Sequence, residues 1–176
     1  PAVLCTRPEQ KPPDMTLTFD FSNRKALVTG ASSGIGQAVA TQLARSGAAV
    51  TAVGRNPEAL HELAAETGCT PKVLDVSDPQ ALDQAFAELP AFDLVVNCAG
   101  IALLEPALEL MAQSFDAVMA VNARAAALVA ARCGKAMAAA GVRGSIVNVS
   151  SQAALVALDD HLCYCCLLYT SPSPRD

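Results

Sequence analysis

A glycine-rich turn between a short apolar run and a helical segment constrains the fold of this sequence more than any other feature. The run Lys25–Thr29 reads KALVT, and a helical pattern begins at Gly34. Glycine lets a chain turn sharply from strand to helix and lets a phosphate approach the backbone closely. The N-terminus of the following helix presents unpaired N–H groups and the positive end of the helix dipole. Glycines alone would also fit a tight turn without a ligand, but a strand before and a helix after favour phosphate binding. The predicted contacts are Gly30, Ser32, Ser33, Gly34, Ile35 and Gly36.

Short β-branched runs alternate with helical patterns throughout residues 25–150, and this alternation predicts the fold class. Nearly unbroken apolar strands are typical of a parallel sheet that helices cover on both faces. We therefore expect an α/β fold, a doubly wound parallel sheet of the Rossmann type, whose second half is incomplete in this sequence. Residues 151–163 are predicted to form a loop. The predicted strands are 25–29, 49–53, 72–75, 92–97 and 145–150, and the predicted helices are 34–46, 57–67, 78–89 and 105–140, the last with a break near 112–114.

Composition limits the classes of function. The 176 residues suit a single domain, and 52% hydrophobic residues suffice for a sizeable core. A net charge of −5, without a stripe of Lys or Arg, argues against nucleic-acid binding. The uninterrupted apolar run at residues 125–131 is far shorter than the about 20 residues of a membrane span. We therefore expect no nucleic-acid partner and no membrane association.

The cysteine content predicts a reducing compartment. Seven cysteines, an odd number that is mostly scattered along the chain, favour free thiols in the cytoplasm over a disulfide framework. His161, Cys163, Cys165 and Cys166 lie close enough in sequence to suggest a metal site. No second ligand pair stands elsewhere at zinc-finger spacing, so we expect no metal.

The end of the second predicted strand carries a cation. Arg55 stands about 20 residues after Gly36, where the ribose of a bound dinucleotide is expected. A carboxylate there would bind the ribose 2′-hydroxyl, whereas a planar guanidinium suits a 2′-phosphate. The sequence therefore favours NADP(H) over NAD(H) as the cofactor. The alternative is that Arg55 is a solvated surface residue.

The spacing Thr-Gly-x-x-x-Gly-Ile-Gly resembles the cofactor loop of the short-chain dehydrogenase/reductase family, and the resemblance covers about residues 15–165. It implies that Asp75 and Val76 contact the adenine of the cofactor. Residues 97–100 resemble the family's Asn-Asn-Ala-Gly, with Cys98 in place of the second asparagine. The NADP enzymes of the family often carry a second cation inside the loop, where this sequence has Ser33. Without the resemblance, both segments would indicate only strand ends. The implied contacts of the second segment are Asn97, Ala99 and Gly100.

The resemblance also implies a catalytic group. Asn122 matches a helix asparagine that organises a water relay, Ser151 matches the serine that binds the carbonyl oxygen, and Tyr164 matches the general acid. The family places a lysine four residues after the tyrosine, and this sequence has Leu168 there. A cation beside a tyrosine stabilises its phenolate, so the departure predicts a poor proton donor near neutral pH.

The implied activity is hydride transfer between NADP(H) and a carbonyl or secondary alcohol. Residues 102–106 and 147–152 look most like the family branch that contains L-xylulose and dicarbonyl reductases. The alternatives are a 3-oxoacyl-carrier-protein reductase, a sugar or polyol dehydrogenase, and a dinucleotide-binding scaffold without catalysis. The expected partner is a small-molecule carbonyl or alcohol. From the resemblance we expect the parent protein to be a homo-oligomer, and we expect the chain as written to be monomeric, molten or aggregated.

Both ends of the sequence depart from the expected domain, a partial dinucleotide-binding unit at residues 15–165. Residues 1–14 are proline-rich and polar, and we expect a non-globular leader before Met15. Residues 166–176 match the translation of a transposon-derived sequencing adapter, so we expect them to be extraneous. Alternating Ser and Pro in this tail predict that no helix follows Tyr164. The chain as written is therefore expected to be inactive.

Overall fold

The computed structural model describes residues 19–169, with side chains up to residue 166. The predicted leader at residues 1–14, Met15, the side chain of Leu168 and residues 170–176 of the predicted tail lie outside the described part. The helices and strands in chain order are β1 Lys25–Thr29, α1 Gly34–Arg45, β2 Ala49–Gly54, α2 Pro57–Thr67, β3 Thr70–Val73, α3 Pro79–Glu88, β4 Leu94–Asn97, a 3-10 turn Ala107–Glu109, α4 Ala112–Met119, a π-helical segment Ala120–Ala125, α5 Ala126–Ala139, β5 Ser145–Asn148, a 3-10 turn Gln152–Ala154, and α6 Leu162–Tyr169.

The five strands form one parallel sheet in the order β3-β2-β1-β4-β5. After β3 the chain crosses back and places β4 on the free side of β1. In a doubly wound sheet, this reversal opens a crevice at the carboxyl ends of the two central strands. The strand order confirms the predicted fold class and places the crevice just beyond Thr29 and Asn97.

Two apolar layers enclose the sheet, one on each face. On one face, α2 contributes Leu60 and Leu63 to a core that also contains residues of α1, β1 and β2. On the other face, α3 contributes Leu82 and α5 contributes Val129. Residues 26–28 of β1 are completely buried. A central strand that is covered on both faces needs apolar side chains at every position, which explains its unbroken apolar sequence.

Local capping signals explain the ends of α2 and α3. Asn56 Oδ1 accepts a hydrogen bond from Ala59 N at 3.1 Å, and an Asp78 carboxylate oxygen accepts one from Gln80 N at 2.8 Å. Each cap is followed by a proline in the first turn, where a missing N–H leaves no helical hydrogen bond unmade. Gly68 ends α2 with a left-handed φ of 73°. Both predicted helices are confirmed, with bounds within one residue of the expectation.

Residues 112–139 form one continuous helical stretch of α4, the π-helical segment and α5. By length and a mean hydropathy of 1.3 this stretch could cross a membrane, a test that the core helix of a globular domain also passes. Ala125, Val129 and Met137 pack into the core beneath the sheet, so we interpret the stretch as a core helix with an exposed outer face. The helix predicted from residue 105 is interrupted at residues 110–111, between the 3-10 turn and α4, two residues before the predicted break near 112–114.

The prediction that no helix follows Tyr164 was also wrong. Helix α6 spans Leu162–Tyr169, so Tyr164 lies in its first turn and position 168 lies one turn later. The eight residues of α6 include neither glycine nor proline, and the first proline of the tail is Pro172. The Ser-Pro alternation therefore restricts the backbone only beyond α6. The predicted loop at residues 151–163 ends at residue 161 and contains a 3-10 turn.

Three strands, β3, β4 and β5, differ by two residues from their predicted bounds, and β5 ends early, at Asn148. β3 begins at residue 70 because its register with β2 pairs Thr51 with Thr70. β4 begins at Leu94, because the preceding Asp93 binds the start of β1, where a carboxylate oxygen accepts a hydrogen bond from Lys25 N at 2.8 Å. An apolar pattern predicts that a strand exists, whereas its ends depend on the neighbouring strand.

The packing of Gly36 yields a first prediction. A Cβ on Gly36 would lie 2.3 Å from the carbonyl oxygen of Gly30, a backbone atom that cannot rotate away. We expect Gly36→Ala to lower the free energy of unfolding by about 1–3 kcal/mol in urea denaturation, the usual cost of overpacking. Gly134→Ala is the matched control, since a Cβ on Gly134 meets nothing within 4 Å. The control should raise the free energy of unfolding by up to about 1 kcal/mol, and equal effects of the two substitutions would contradict the packing argument.

Candidate active site

The glycine-rich turn is packed between the ends of three strands. Gly30 has a φ of 69°, and a Cβ there would lie 2.8 Å from Ala99 N. Ala31 N donates a hydrogen bond to Val53 O at 2.9 Å, which ties the turn to the end of β2. Because backbone atoms surround Gly30 and Gly36, side chains at these positions would push the turn away from the sheet. Backbone packing therefore sets the shape of the turn.

The first turn of α1 keeps its N–H groups available to a ligand. Ser33 is the N-cap, and its hydroxyl makes no capping hydrogen bond. Gly34 has a φ of 55°, and a Cβ built on it meets nothing within 4 Å, so this position faces open space. A helix N-terminus carries roughly half a unit of positive charge. These features fit the pyrophosphate of a dinucleotide in both shape and charge.

A cleft of about 300 Å³ opens beside the turn, at the carboxyl ends of the central strands. Leu74 and Ile101 line it although neither was predicted, because an apolar residue at a strand end carries no chemical signal in the sequence. The cleft brings together eleven of the twelve residues predicted to bind the cofactor: Gly30, Ser32, Ser33, Gly34, Ile35, Gly36, Arg55, Asp75, Val76, Ala99 and Gly100.

One part of the cleft carries a carboxylate and a guanidinium. Asp75 accepts hydrogen bonds from Ser77 N at 2.9 Å and from Ser77 Oγ at 2.7 Å. Burial raises the pKa of Asp75, but the two hydrogen bonds from Ser77 and the charge of Arg55 outweigh it, so this pKa lies below its ordinary value. Arg55 forms no ion pair within 4 Å inside residues 19–169. Its donors are therefore available to an anion in the cleft.

Asn97, the twelfth predicted residue, does not line this cleft. Its Nδ2 donates hydrogen bonds to Asn148 Oδ1 at 2.8 Å and to Ala126 O at 3.3 Å. The side chain is buried, and its Oδ1 has no hydrogen-bond partner among the described residues. Asn97 therefore braces β4 against β5 and α5 through Nδ2, and its predicted contact with the cofactor stays a prediction.

Thr29, at the end of β1, holds the segment after β4 against the glycine turn. Its Oγ1 accepts hydrogen bonds from Cys98 N and Ala99 N, both at 3.2 Å. Sequence reasoning missed this role, although a buried hydroxyl directly before Gly30 was a visible signal. Burial raises the pKa of the Cys98 thiol, so Cys98 offers the cleft a neutral group near neutral pH.

A second cavity of about 280 Å³ continues the cleft. Both cavities are lined by Ile35 and by residues 98–101, so they form one groove. Ser151 and Tyr164 line the second cavity, which brings the two predicted catalytic hydroxyls to one place. The Ser151 side chain also caps the following 3-10 turn, where its Oγ accepts a hydrogen bond from Ala153 N at 3.3 Å.

Asn122 lies in the π-helical segment and lines the second cavity. Its Oδ1 accepts a hydrogen bond from Ile101 N and its Nδ2 donates one to Ile101 O, each at 2.8 Å. π-helical turns often occur at functional sites. Because Ile101 belongs to both cavities, Asn122 positions the wall that they share. Both polar atoms of its side chain are engaged, and the predicted water relay stays a prediction.

Burial raises the pKa of three thiols among the described residues, those of Cys98, Cys133 and Cys163. Burial raises the pKa of Cys133 to about 11, as suits a thiol in the core. Within residues 19–169, no group of three His, Cys, Asp or Glu side chains is arranged to hold a metal ion. Free thiols are found at Cys69, Cys98, Cys133, Cys163 and Cys165.

The fold and the groove define a dinucleotide-binding unit of the Rossmann class, and comparisons with known proteins narrow the class. The family model of the short chain dehydrogenases matches residues 24–166. L-xylulose reductase from Mus musculus is 44% identical over 150 residues, which cover 85% of this chain and 62% of that protein. D-threitol dehydrogenase from Mycolicibacterium smegmatis is 42% identical over 165 residues, which cover 86% of this chain and 62% of that protein.

A solved structure agrees with the sequence relatives. A protein described as a 2-deoxy-D-gluconate 3-dehydrogenase from Agrobacterium tumefaciens, with bound NADP, superposes with a TM-score of 0.77 at 32% identity. The superposition covers 86% of this chain and 63% of that chain. The chain therefore belongs to the short chain dehydrogenase family and is close in sequence to L-xylulose reductases. It spans about three fifths of the length of these relatives.

The hydrogen bonds to Asp75 yield a pH-dependent prediction. Because the pKa of Asp75 is lowered in the folded protein, the ionised carboxylate contributes stability above the unfolded pKa, and this contribution is lost as pH falls through the folded pKa. We expect Ser77→Ala to raise the pKa of Asp75 and to weaken this contribution, as measured by NMR titration of the carboxyl carbon. Ser77→Thr retains both donors and should leave the titration unchanged. An unaltered Asp75 titration in Ser77→Ala would show that Ser77 does not hold the carboxylate.

Proposed function

We propose that this protein is a cytoplasmic oxidoreductase that transfers a hydride between NADP(H) and a carbonyl compound or secondary alcohol. The observation that carries the proposal is the continuous groove, with the glycine turn and Arg55 in one cavity and Ser151 with Tyr164 in the next. A dinucleotide supplies the hydride when bound. One cavity of the groove offers the phosphates of the dinucleotide a binding site, and the other offers two hydroxyl groups to the oxygen of a substrate.

Ser151 and Tyr164 supply the protein's part of the chemistry. As a carbonyl becomes an alcohol, its oxygen gains negative charge and then a proton. The Ser151 hydroxyl donates a hydrogen bond to that oxygen, and the Tyr164 hydroxyl gives up its proton to it. Asn122 acts through Ile101 as a positioning residue for the wall between the cavities.

The proposed preference for NADP(H) rests on Arg55. Its guanidinium lines the cleft and forms no ion pair within the described residues. Asp75 also lines the cleft, but its carboxylate accepts two hydrogen bonds from Ser77. It forms no ion pair with Arg55 within 4 Å, so it does not occupy the donors of Arg55. A 2′-phosphate would give Arg55 the planar anionic partner that guanidinium groups bind best.

Arg55→Asp tests this preference. We expect the substitution to weaken NADPH binding by about ten- to a hundredfold, because a charge-assisted hydrogen bond is replaced by repulsion, and to improve NADH binding relative to NADPH. Fluorescence titration with each nucleotide measures both affinities. Arg143→Asp is the matched control, since Arg143 is exposed just before β5, at the amino ends of the strands, whereas the groove lies at their carboxyl ends. NADH binding as tight as NADPH binding in the unsubstituted chain would refute the preference.

Leu168 decides how fast this chain can turn over. Helix α6 places position 168 one turn after Tyr164, where the family has a lysine. An aliphatic residue there provides no cation to stabilise a phenolate. This substitution favours the second candidate function, a dinucleotide-binding scaffold with little or no catalysis. Hydride transfer is thus proposed for a protein of this type that carries the lysine. The chain as written, with Leu168, is proposed to be inactive or slow.

Leu168→Lys separates the two candidates. We expect the lysine to raise NADPH oxidation in the presence of a ketose or dicarbonyl, because α6 carries positions 164 and 168 on one face. Tyr164→Phe in the same background should abolish this gain and leave NADPH binding largely intact, since the proton donor is lost and the phosphate site is not. Leu167→Lys adds the same charge at a neighbouring position of α6 and serves as the control. Full turnover by the phenylalanine variant would contradict the role of Tyr164.

The relatives and the outer surface support a substrate class and an assembly. The relatives are named for L-xylulose, a sugar, and D-threitol, a polyol. We infer a small carbonyl or alcohol of this kind, with a 3-oxoacyl-carrier-protein reductase as the alternative. On the exposed face of the long helical stretch, Ala120, Ala123 and Ala127 line a shallow groove. Small residues allow helices to approach closely, which supports a homo-oligomer that packs through this face.

A further inference from the structure

We propose that Glu105 is a positioning residue that fixes the first turn of α6, and with it Tyr164, by tying the turn before α6 to the N-terminus of α4. The proposal rests on the proposed role of Tyr164 as proton donor and adds a residue to it. Glu105 lies outside both cavities, so it would act only through the elements that it joins.

The backbone of Glu105 holds the residues that lead into α6. Its N–H donates a hydrogen bond to Asp160 O at 3.0 Å, and Glu105 forms a parallel β-bridge with His161. His161 O in turn accepts a hydrogen bond from Cys165 N at 2.9 Å in the first turn of α6. The rings of His161 and Tyr164 meet edge to face, with centroids 6.4 Å apart. The bridge to Glu105 therefore lies one residue away from the start of the helix that carries Tyr164.

The carboxylate of Glu105 forms hydrogen bonds with the N-terminal turn of α4. Oε1 accepts a hydrogen bond from Ser114 Oγ at 2.5 Å, and Oε2 accepts one from Met111 N at 3.3 Å. Met111 is the N-cap of α4, and its side chain makes no capping hydrogen bond. The carboxylate of Glu105 instead accepts a hydrogen bond from the N–H of Met111 and places a negative charge at the positive end of the helix dipole. Ser114 is only 7% exposed. Loss of Glu105 would leave its hydroxyl buried without an acceptor.

Little else anchors the stretch that carries Glu105. Its neighbours at residues 102–104 and 106–109 are exposed, and Leu108 is fully so. Helices α4 and α6 pack against each other. Burial, and after it the charge of Glu105, raise the pKa of Cys163 in α6, which agrees with a carboxylate close to the first turn of that helix. The polar contacts of Glu105 are therefore the main link between this stretch and the two helices.

The turn before α6 needs such a link. Asp160 has a φ of 57°, in the left-handed region that is costly for residues other than glycine. Its carbonyl is the acceptor for Glu105 N. Without the tie, the turn is free to relax toward ordinary backbone angles, and the start of α6 would move with it.

The test uses the full chain in a Tyr169→Phe background. The sequence has two tyrosines and no tryptophan, so this change leaves Tyr164 as the one source of a tyrosine band in near-ultraviolet circular dichroism. We expect Glu105→Ala to abolish most of this band and to speed hydrogen exchange at Cys165 N by about tenfold. Glu105→Gln keeps an acceptor for Met111 N and can donate to Ser114 Oγ, so it should restore both signals.

Glu109→Ala is the matched control, because Glu109 lies in the same exposed stretch and its side chain forms no hydrogen bond within residues 19–169. It should leave both signals unchanged, and exchange in β1 should be unchanged in every variant. The proposal is overturned if Glu105→Ala leaves the tyrosine band unaltered, if Glu109→Ala loses as much of the band, or if Glu105→Gln does not restore it. Faster hydrogen exchange throughout β1 in Glu105→Ala, or the absence of the band before Glu105 is changed, would also overturn it. NADPH titration of the unsubstituted chain tests the proposed function separately, since the band and the exchange rates require no cofactor.

Discussion

The close backbone contact between Gly30 and Gly36 is the constraint on which the rest of the site depends. The carbonyl oxygen of Gly30 occupies the space that any side chain at position 36 would need. This contact lets α1 begin directly after the turn, with its uncapped N-terminus at the crevice. Thr29, one residue earlier, holds the segment after β4 on the other side. The end of one strand thus organises both walls of the cleft, and the reversal of strand order beside β1 provides the space between them.

The two cavities are joined through Ile101, and different forces hold their linings. The cofactor cavity is formed by backbone at the ends of buried strands, where the sheet and two apolar layers fix each position. The second cavity depends on side chains that reach across loops, such as the two hydrogen bonds from Asn122 to Ile101 and those that Glu105 makes to α4. An arrangement held by a few side-chain hydrogen bonds opens at a lower free energy than one held by a sheet.

Local signals in the sequence predicted most of the fold. The glycine turn, the starts of α2 and α3 and the apolar strand patterns act over a few residues, and each of these elements is present, although the ends of β3, β4 and β5 differ from the expectation. The register of β3 and the inward orientation of Asn97 depend on partners far along the chain, which one sequence does not specify. Helix α6 was missed because the Ser-Pro alternation was applied to residues that it does not reach. The restriction imposed by proline extends over one turn at most.

The same distinction between near and distant partners separates the two cavities of this chain. The residues proposed to bind the dinucleotide include positions where a side chain would also disturb the strand ends, as the surroundings of Gly30 and Gly36 show. The segments 101–111 and 149–164, in contrast, line the second cavity and carry exposed apolar side chains such as Leu104 and Leu155. Changes there cost little stability, because little apolar surface is buried. Substitutions in these segments are therefore expected to alter the second cavity while the first stays intact, and the proposed loss of turnover with Leu168 would be one such case.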